Sequence, residues 1–402
     1  MQVVLVGSGA REHALAWRIA RSPLLTELHA APGNPGIAAL GRCHPVRADD
    51  GEGLLALAQT LDAALVVIGP EGPLVAGVGD ELRRNGIAVF GPGADAARIE
   101  GSKAFAKEVL RAAHVPTAEA LAVARPPCVV KADGLASGKG VFVCRSAEEL
   151  EDALRAVRRY DGGVVIEELL EGPEVSLFAL CDGRRALPLG AAQDFKRAGD
   201  GDTGPNTGGM GAFSPVPWLE DEEELVARIH QPVVDELARR GTPFVGCLFA
   251  GVMVTDDGPR VLEFNARFGD PETQALMPRL EGDLLEALAA AAHGELGGVR
   301  VSASGDAAVT VVLTGPDYPE RSDHAGAAIA GIGDAEEAGT LVFQGGTAVR
   351  GGTLVTNGGR ILSVTGTGAT VADARRHAYA AADMISFDGL RRRSDIAAAV
   401  DG

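Results

Sequence analysis

Apolar residues in the first hundred positions fall into short unbroken runs. Val3–Val6, Glu27–Ala31, Ala64–Ile68 and Ala88–Phe90 read as strands, and each ends in glycine or proline: Gly7-Ser8-Gly9, Pro32-Gly33-Asn34-Pro35-Gly36, Gly69-Pro70-Glu71 and Gly91-Pro92. Between them Glu12–Ala20, Leu54–Leu61 and Val75–Asn85 have helical composition. Apolar strands alternating with helices predict a parallel sheet covered on both faces. Such sheets bind ligands beyond the carboxyl ends of their strands, where these turns lie.

The pattern changes after residue 100. A helix follows Gly101-Ser102-Lys103, residues 128–180 are β-rich with one helix near Ala147–Arg159, and residues 181–296 combine strands, a long polar loop (193–217) and helices at 221–240 and 283–293. Residues 300–400 hold β segments at Ala308–Leu313 and Ile361–Thr365 and a helix near 371–385, which reads as a small separate α+β domain. The expected organisation is a multidomain α/β and α+β chain. An N-terminal parallel-sheet domain spans 1–100, a central domain 101–296 with a β-rich lid at about 116–180, and a C-terminal domain 297–402.

Composition narrows the function classes. Of 402 residues 54 are glycine, and they cluster, as loops that approach ligands closely require. The net charge of −18 opposes nucleic acid and anionic membranes as partners. The five cysteines include no CxxC pair and read as small buried thiols of a reducing compartment. The chain opens directly on a core strand and holds no uncharged apolar run long enough for a bilayer, so a cytoplasmic protein is expected.

Five segments carry candidate chemistry. Gly7-Ser8-Gly9-Ala10-Arg11-Glu12-His13 links a strand to a helix and offers backbone N–H groups to an anion. Glu12 replaces the third glycine of a dinucleotide turn, and the next strand ends in Ala30-Ala31 without the ribose-binding acid, so a smaller phosphate ligand is expected. Val129-Val130-Lys131 runs into a loop with Gly134, Gly138, Lys139 and Gly140 and returns as strand Val141–Cys144, a hairpin able to fold over a polyphosphate. An apolar strand, Val164–Ile166, ends at Glu167 and Glu168, with Glu174 beyond, and its end offers backbone groups to an adenine. Glu263 and Asn265 alternate along a strand and share a face, two hard oxygen ligands suited to Mg²⁺ between protein and phosphates. Arg267, Asp270, Pro271 and Glu272 follow. Gln193-Asp194-Phe195-Lys196-Arg197 and Asp202–Gly211 form a glycine-rich loop with no core role, of the kind that covers a site.

Together, GSGAREHALAW, APGNPG, GPEGPLVAG, EGSKAFAK, VVKADGLASGKGV, VIEELLEGPE, QDFKR, DTGPNTGGMGAFSP and VLEFNARFGDPETQ, followed by LTGPDYP and LVTNGGRILSVTGTG, resemble the phosphoribosylamine–glycine ligase family within the ATP-grasp superfamily. The resemblance covers nearly the whole chain. It implies a monomeric enzyme that uses ATP and Mg²⁺ (or Mn²⁺) to activate glycine as glycyl phosphate and pass it to 5-phosphoribosylamine. It places Lys103, Lys131, Gly138 and Lys139 at the ATP phosphates, Glu167, Glu168 and Leu169 at the adenine hinge, and Glu174 at the ribose. Glu263 and Asn265 hold the metal, while Arg267 meets the phosphates or the glycine carboxylate. Gly9, Arg11, Glu12, Asn34 and Glu71 form the phosphoribosylamine pocket. Asp194, Lys196, the loop Asn206, Thr207, Gly208, Gly209 and Met210, and Asp270, Pro271 and Glu272 complete the acceptor side.

Three features depart from the family. Phe195 stands where histidine is usual, the stretches 117–131 and 154–164 are short, and Arg391–Ala397 only approximates the usual ending. The first alternative is another ATP-grasp ligase or carboxylase acting on a ribonucleotide. The second is a non-catalytic nucleotide-binding regulator.

Overall fold

The computed structural model describes residues 1–134, 140–160 and 162–400. The N-terminal runs form a five-stranded sheet of β1 (Gln2–Gly7), β2 (Glu27–Pro32), β3 (Arg42–Cys43), β4 (Leu65–Ile68) and β5 (Val89–Phe90), in the order β3-β2-β1-β4-β5. All neighbours are parallel, with Val3 beside Leu28 on one side and Leu65 on the other. Val3–Val6 and Leu65–Ile68 are buried throughout, as strands covered on both faces must be. The chain starts at β1 and builds outward first one way, then the other. The order therefore reverses between β1 and β4, and the crevice beyond Gly7 and Gly69 is where such a sheet binds ligands. The single helix expected over Val75–Asn85 is two, Glu71–Val75 and Val78–Arg84. Gly77 between them takes a left-handed φ of 83°, which interrupts a regular helix.

A three-stranded sheet of Val141–Cys144, Cys128–Ala132 and Val164–Glu168 follows, with helix Ala147–Ala156 packed on it. Ser146 and Glu149 cap that helix reciprocally. Its small core of Cys128, Val130, Ala132, Cys144, Ala153 and Val157 is separate from the rest.

The largest sheet has eight strands, in the order Gly258–Asn265, Val245–Thr255, Glu174–Asp182, Ala186–Asp194, Gly211–Ser214, Ala307–Thr314, Arg360–Gly368 and Leu341–Gln344, all antiparallel to their neighbours. Here the structure corrects one expectation. The segment Asp202–Gly211 is not a free loop: Arg197–Gly199 pairs with Thr203–Asn206 as a hairpin, Met210 is buried, and Gly211–Ser214 is an interior strand. The C-terminal domain's strands continue this sheet, because Gly211–Ser214 pairs with Ala307–Thr314, Phe213 beside Val309. Local composition carries no record of that partner, and a distant ladder overrides a glycine-rich stretch's weak strand preference.

The N-terminal domain is tied to the last strand of this sheet. His13 Nδ1 accepts from the Gln344 N–H at 2.8 Å, and its ring meets Phe343 edge-on at 5.6 Å. Burial pushes His13 down to about 4, so the ring is neutral and able to accept that proton. The unfolded chain protonates this ring first, at about pH 6.5, so stability from the contact is full above that pH and declines as pH falls towards 4. The loss is on the order of 3 kcal/mol once pH is below both values. His230, also buried and pushed down to about 4, adds a slope of the same sign. Thermal unfolding of His13→Gln between those pH values isolates the first contribution: the variant is expected to lose part of the acid dependence and keep the rest.

Candidate active site

Four lysines and a glutamate organise the cleft between the three-stranded and eight-stranded sheets. Lys131 Nζ donates to the Leu262 carbonyl at 2.9 Å and pairs with Glu167 at 2.7 Å. Lys107 pairs with the other oxygen of Glu167, also at 2.7 Å, and donates to Thr117 Oγ1 at 2.8 Å. The Glu167 side chain is only 2% exposed. Both its side-chain oxygens are committed to lysines, so what it has left to offer an adenine is backbone, the group the sequence points to. Glu168 is tied back as well, accepting from the Glu119 N–H at 2.9 Å. Leu169 begins the coil beyond the strand, outside its ladder.

Lys103 opens helix Lys103–Ala112, whose N-terminus is held by Asp133 accepting from the Lys103 N–H at 2.6 Å. Its ammonium donates to the Gly134 carbonyl at 2.8 Å, where the described part of the glycine hairpin ends. Gly138 and Lys139 lie outside the described residues. Opposite, Glu263 and Asn265 share one face of strand Gly258–Asn265. Neither side chain makes a hydrogen bond or ion pair to another described residue. Burial works to raise the Glu263 carboxyl, but Lys196, Lys131 and Lys103 hold it below the usual range. It is an ionised carboxylate with open oxygens in a cationic surround.

Arg267 occupies the next position along the cleft. It reaches Glu71 at 3.3 Å and Glu100 at 3.6 Å, and donates to the Phe268 carbonyl at 3.1 Å. Arg11 donates to that same carbonyl at 3.2 Å, so two guanidinium groups converge there. Glu100 is pushed up by burial, while Arg267 counters it. Burial also works to raise Glu71, but Arg267 and Arg11 hold it below the usual range.

The β1 turn is built around Glu12. Its carboxylate accepts from the Gly9 N–H at 2.7 Å and pairs with Arg11 at 2.6 Å. A Cβ on Gly7 or Gly69 would lie 2.6 or 2.2 Å from Glu12 atoms, so both turns need glycine to close over this side chain. Glu12 and Asn34, expected in the phosphoribosylamine pocket, both make hydrogen bonds that frame the turn. Asn34 caps a short helix through the Ile37 N–H (2.9 Å) and donates to the Ser8 and Gln344 carbonyls at 2.9 and 2.6 Å. A cavity of about 530 Å³ lies there, lined by Ser8, Gly9, Asn34, Asp270, Thr347 and Arg360 among others.

The acceptor side closes around Asp270. Arg360 Nη2 pairs with its carboxylate at 3.0 Å, and Nη1 donates to the Asp270 and Gly208 carbonyls at 2.7 and 2.6 Å. A Cβ on Gly209 would sit 2.3 Å from Pro271 Cδ, so the 206–210 loop lies directly on Asp270-Pro271. Thr207 ties that loop to Lys196, its N–H donating to the Lys196 carbonyl at 2.7 Å. The Lys196 ammonium pairs with Glu174 and stands 3.8 Å from Asp194, which gives Glu174 a cationic partner at the position expected for a ribose contact. Burial raises both Asp194 and Glu272 above the usual carboxylate range, with Lys196 opposing. Ser176 donates to Glu272 at 3.3 Å.

Four site residues were not anticipated. Lys107 had a signal in the sequence, because Lys103 and Lys107 stand four apart and share a helix face. Glu100, Arg360 and Tyr318, whose hydroxyl accepts from the Gly208 N–H at 2.9 Å, lie inside the quoted motifs, and only packing shows that they reach the site. Among the described residues no group of three acids, histidines or cysteines is placed to hold a metal unaided.

The chain matches the Phosphoribosylglycinamide synthetase models in order: the N domain over 1–100, the ATP-grasp (A) domain over 101–273 and the C domain over 308–399. A phosphoribosylamine–glycine ligase of Streptomyces coelicolor is 51% identical over 100% of both chains, and one of Mesorhizobium japonicum is 49% identical over 98% of this chain and 97% of its own. The crystal structure of phosphoribosylamine–glycine ligase from Thermotoga maritima superposes with a TM-score of 0.84 at 34% identity, covering 98% of this chain and 100% of that one. The biotin carboxylase domain of Hydrogenobacter thermophilus 2-oxoglutarate carboxylase, solved with MgADP, gives 0.68 at 18% identity over 97% of this chain and 91% of that one, a likeness of fold alone. With three domain models in register and half its residues shared end to end with a curated relative, the chain belongs to the phosphoribosylamine–glycine ligase family.

Proposed function

We propose that this chain ligates glycine to 5-phosphoribosylamine in purine biosynthesis, converting ATP to ADP and phosphate through glycyl phosphate. The observation that carries the residue roles is the uncommitted pair Glu263 and Asn265, set among lysines and next to Arg267. Two oxygens on one strand face are too few to enclose a hard cation, and suit one that also takes phosphate oxygens. Mg²⁺ or Mn²⁺ held so would neutralise charge on the transferring phosphoryl group.

Lys103 and Lys131 face the phosphates, and Leu169 at the strand end meets the adenine. Arg267, half-buried between Glu71 and Glu100, orients the glycine carboxylate towards the γ-phosphorus. A carboxylate oxygen attacks there, the bond to ADP breaks, and glycyl phosphate forms. The amine nitrogen of phosphoribosylamine then attacks the acyl carbon and phosphate leaves. Asp194, raised by burial above the usual carboxylate range, is suited to take the amine proton. The 206–210 loop and Asp270-Pro271 keep water from the acyl phosphate. The cavity at Gly9 and Arg360 holds the phosphoribosyl group, with backbone N–H groups at a helix start and one guanidinium for its phosphate.

ADP release with ATP, Mg²⁺ and freshly generated phosphoribosylamine, with and without glycine, tests the reading. Release is expected to need both substrates. Release driven by bicarbonate and indifferent to glycine would overturn it. Arg360→Ala is expected to raise KM for phosphoribosylamine by about tenfold or more, since a charged hydrogen bond is worth roughly 1.5–3 kcal/mol. An unchanged KM would remove Arg360 from the phosphate site. Among the described residues no helix is long and apolar enough to cross a membrane.

A further inference from the structure

Arg393 is one of the largest fully buried side chains, its guanidinium region only 1% exposed. A cation enclosed to that degree is costly unless it is answered on every side. Here Nε and Nη2 form a fork onto Asp395 at 2.7 and 2.6 Å. Nη1 donates to Asp202 at 2.7 Å and to the Arg197 carbonyl at 3.1 Å. The guanidinium lies 5.0 Å from the centre of the Phe195 ring. Next to it, Ser394 donates through its N–H (2.8 Å) and its hydroxyl to Asp200, and the Gly201 N–H donates to Asp395 at 2.8 Å. Residues 393–395 therefore grip Asp200, Gly201 and Asp202, the tip of the Arg197–Asn206 hairpin.

The gripping segment is itself anchored. Arg375 donates to the Ile396 and Ser394 carbonyls at 2.9 and 2.8 Å, and the Tyr379 hydroxyl donates to the Arg393 carbonyl at 3.0 Å. Both anchors stand on helix Val371–Ala382, which packs on the eight-stranded sheet. The hairpin has no comparable hold of its own. Ala198 and Pro205 are the two apolar side chains on its two strands, and the cavity beside it, about 710 Å³, is lined by Ala198, Gly199, Gly204, Met210 and Leu390 among others. Apolar packing cannot fix its position, so the ionic clasp does. Its roots are site residues: Lys196 precedes one strand, Thr207 follows the other, and Phe195 under the guanidinium separates Asp194 from Lys196.

We infer that Arg393 is a positioning residue for the acceptor half of the reaction, holding Asp194, Lys196 and the 206–210 loop in place through Phe195 and the hairpin. The inference rests on the acceptor-side reading of Asp194 and Lys196 given above. A misplacement of about 1 Å costs up to roughly a hundred-fold in rate, so a positioning residue is visible in kinetics.

Steady-state kinetics of the full chain test it, with Arg393→Gln, Arg393→Lys, Asp202→Asn and Lys196→Gln measured together. Arg393→Gln is expected to lower kcat/KM for phosphoribosylamine by about tenfold or more, with KM for ATP within about twofold of wild type. Arg393→Lys, which keeps the charge, is expected to recover part of that loss. Asp202 is exposed and Asn tolerates its left-handed φ of 53°, so Asp202→Asn is expected to keep the unfolding temperature and still lose in the same parameter. Should Arg393→Gln fail to fold, Asp202→Asn decides. Wild-type kinetics in Asp202→Asn, or equal losses towards all three substrates, overturn the clasp. If Lys196→Gln keeps wild-type kcat/KM for the amine, the acceptor-side reading is what fails.

Discussion

Glu263→Ala is expected to lower turnover by about a hundred-fold or more while the fold remains intact, because one electrostatic partner of a transition state is typically worth that much. Both halves of the expectation come from the same geometry. Glu263 makes no hydrogen bond or ion pair to a described residue, so removing its carboxylate breaks no native contact. Its ionised form is favoured by Lys196, Lys131 and Lys103 against the opposing effect of burial. A carboxylate held charged and left open is placed to act on a ligand rather than on the protein. Because the three lysines outweigh burial, its loss removes a long-range attraction but no contact, and the unfolding temperature is expected to fall only slightly. Turnover measured as ADP release, with thermal unfolding on the same sample, checks both. A variant with wild-type turnover removes the metal-site proposal, and one that unfolds at once shows the carboxylate to be structural.

Glu167→Ala is expected to do the opposite. It removes the common partner of Lys107 and Lys131, whose side chains are 10% and 7% exposed. Breaking a buried pair from one side typically costs about 3–5 kcal/mol, because the remaining charge has lost its counter-ion. Here two ammonium groups are stranded, and burial already holds Lys107 below its usual range. The destabilisation is expected to be local to the three-stranded sheet, whose core is small and separate. Hydrogen exchange in strands Cys128–Ala132 and Val164–Glu168 should rise well above that of the eight-stranded sheet. If Glu167 instead served only a nucleotide, the variant would raise KM for ATP and leave exchange unchanged. Glu167→Gln, which keeps the shape and an acceptor but not the charge, should fall between wild type and Ala.

Much of this site is written locally. Glu263 and Asn265 share a face because strand side chains alternate, and that holds wherever the strand packs. The turns after Gly7, Pro32 and Ile68 lie at strand ends because apolar runs stop at glycine and proline, and the parallel order then puts them beside one another. Lys131 before a glycine hairpin, and the ordered series of motifs over the whole chain, made the family visible before any coordinate was known.

Packing alone decided the partnerships. The sequence offers Glu167 as the end of an apolar strand whose backbone can meet an adenine, and says nothing of where its side chain goes. In the fold it neutralises two lysines, one from a different sheet strand and one from a helix. The resemblance puts Glu12 and Asn34 at the pocket, but only packing shows that Glu12 accepts from the Gly9 N–H and Arg11 while Asn34 bridges the Ile37 N–H and the Ser8 and Gln344 carbonyls. The segment after Asp202 read as a free loop, and its last residues are an interior strand because Ala307–Thr314 supplies a ladder. Arg360 and Arg393 stand in segments the resemblance covers, but nothing local names their partners. They meet Asp270 and Asp202 across 90 and 191 residues of chain. Periodicity, turn chemistry and motif order are properties of neighbouring residues and so are determined by the sequence itself. Which charge answers which, and which carboxylate is left open for a ligand, depends on distances that exist only once the sheets have closed.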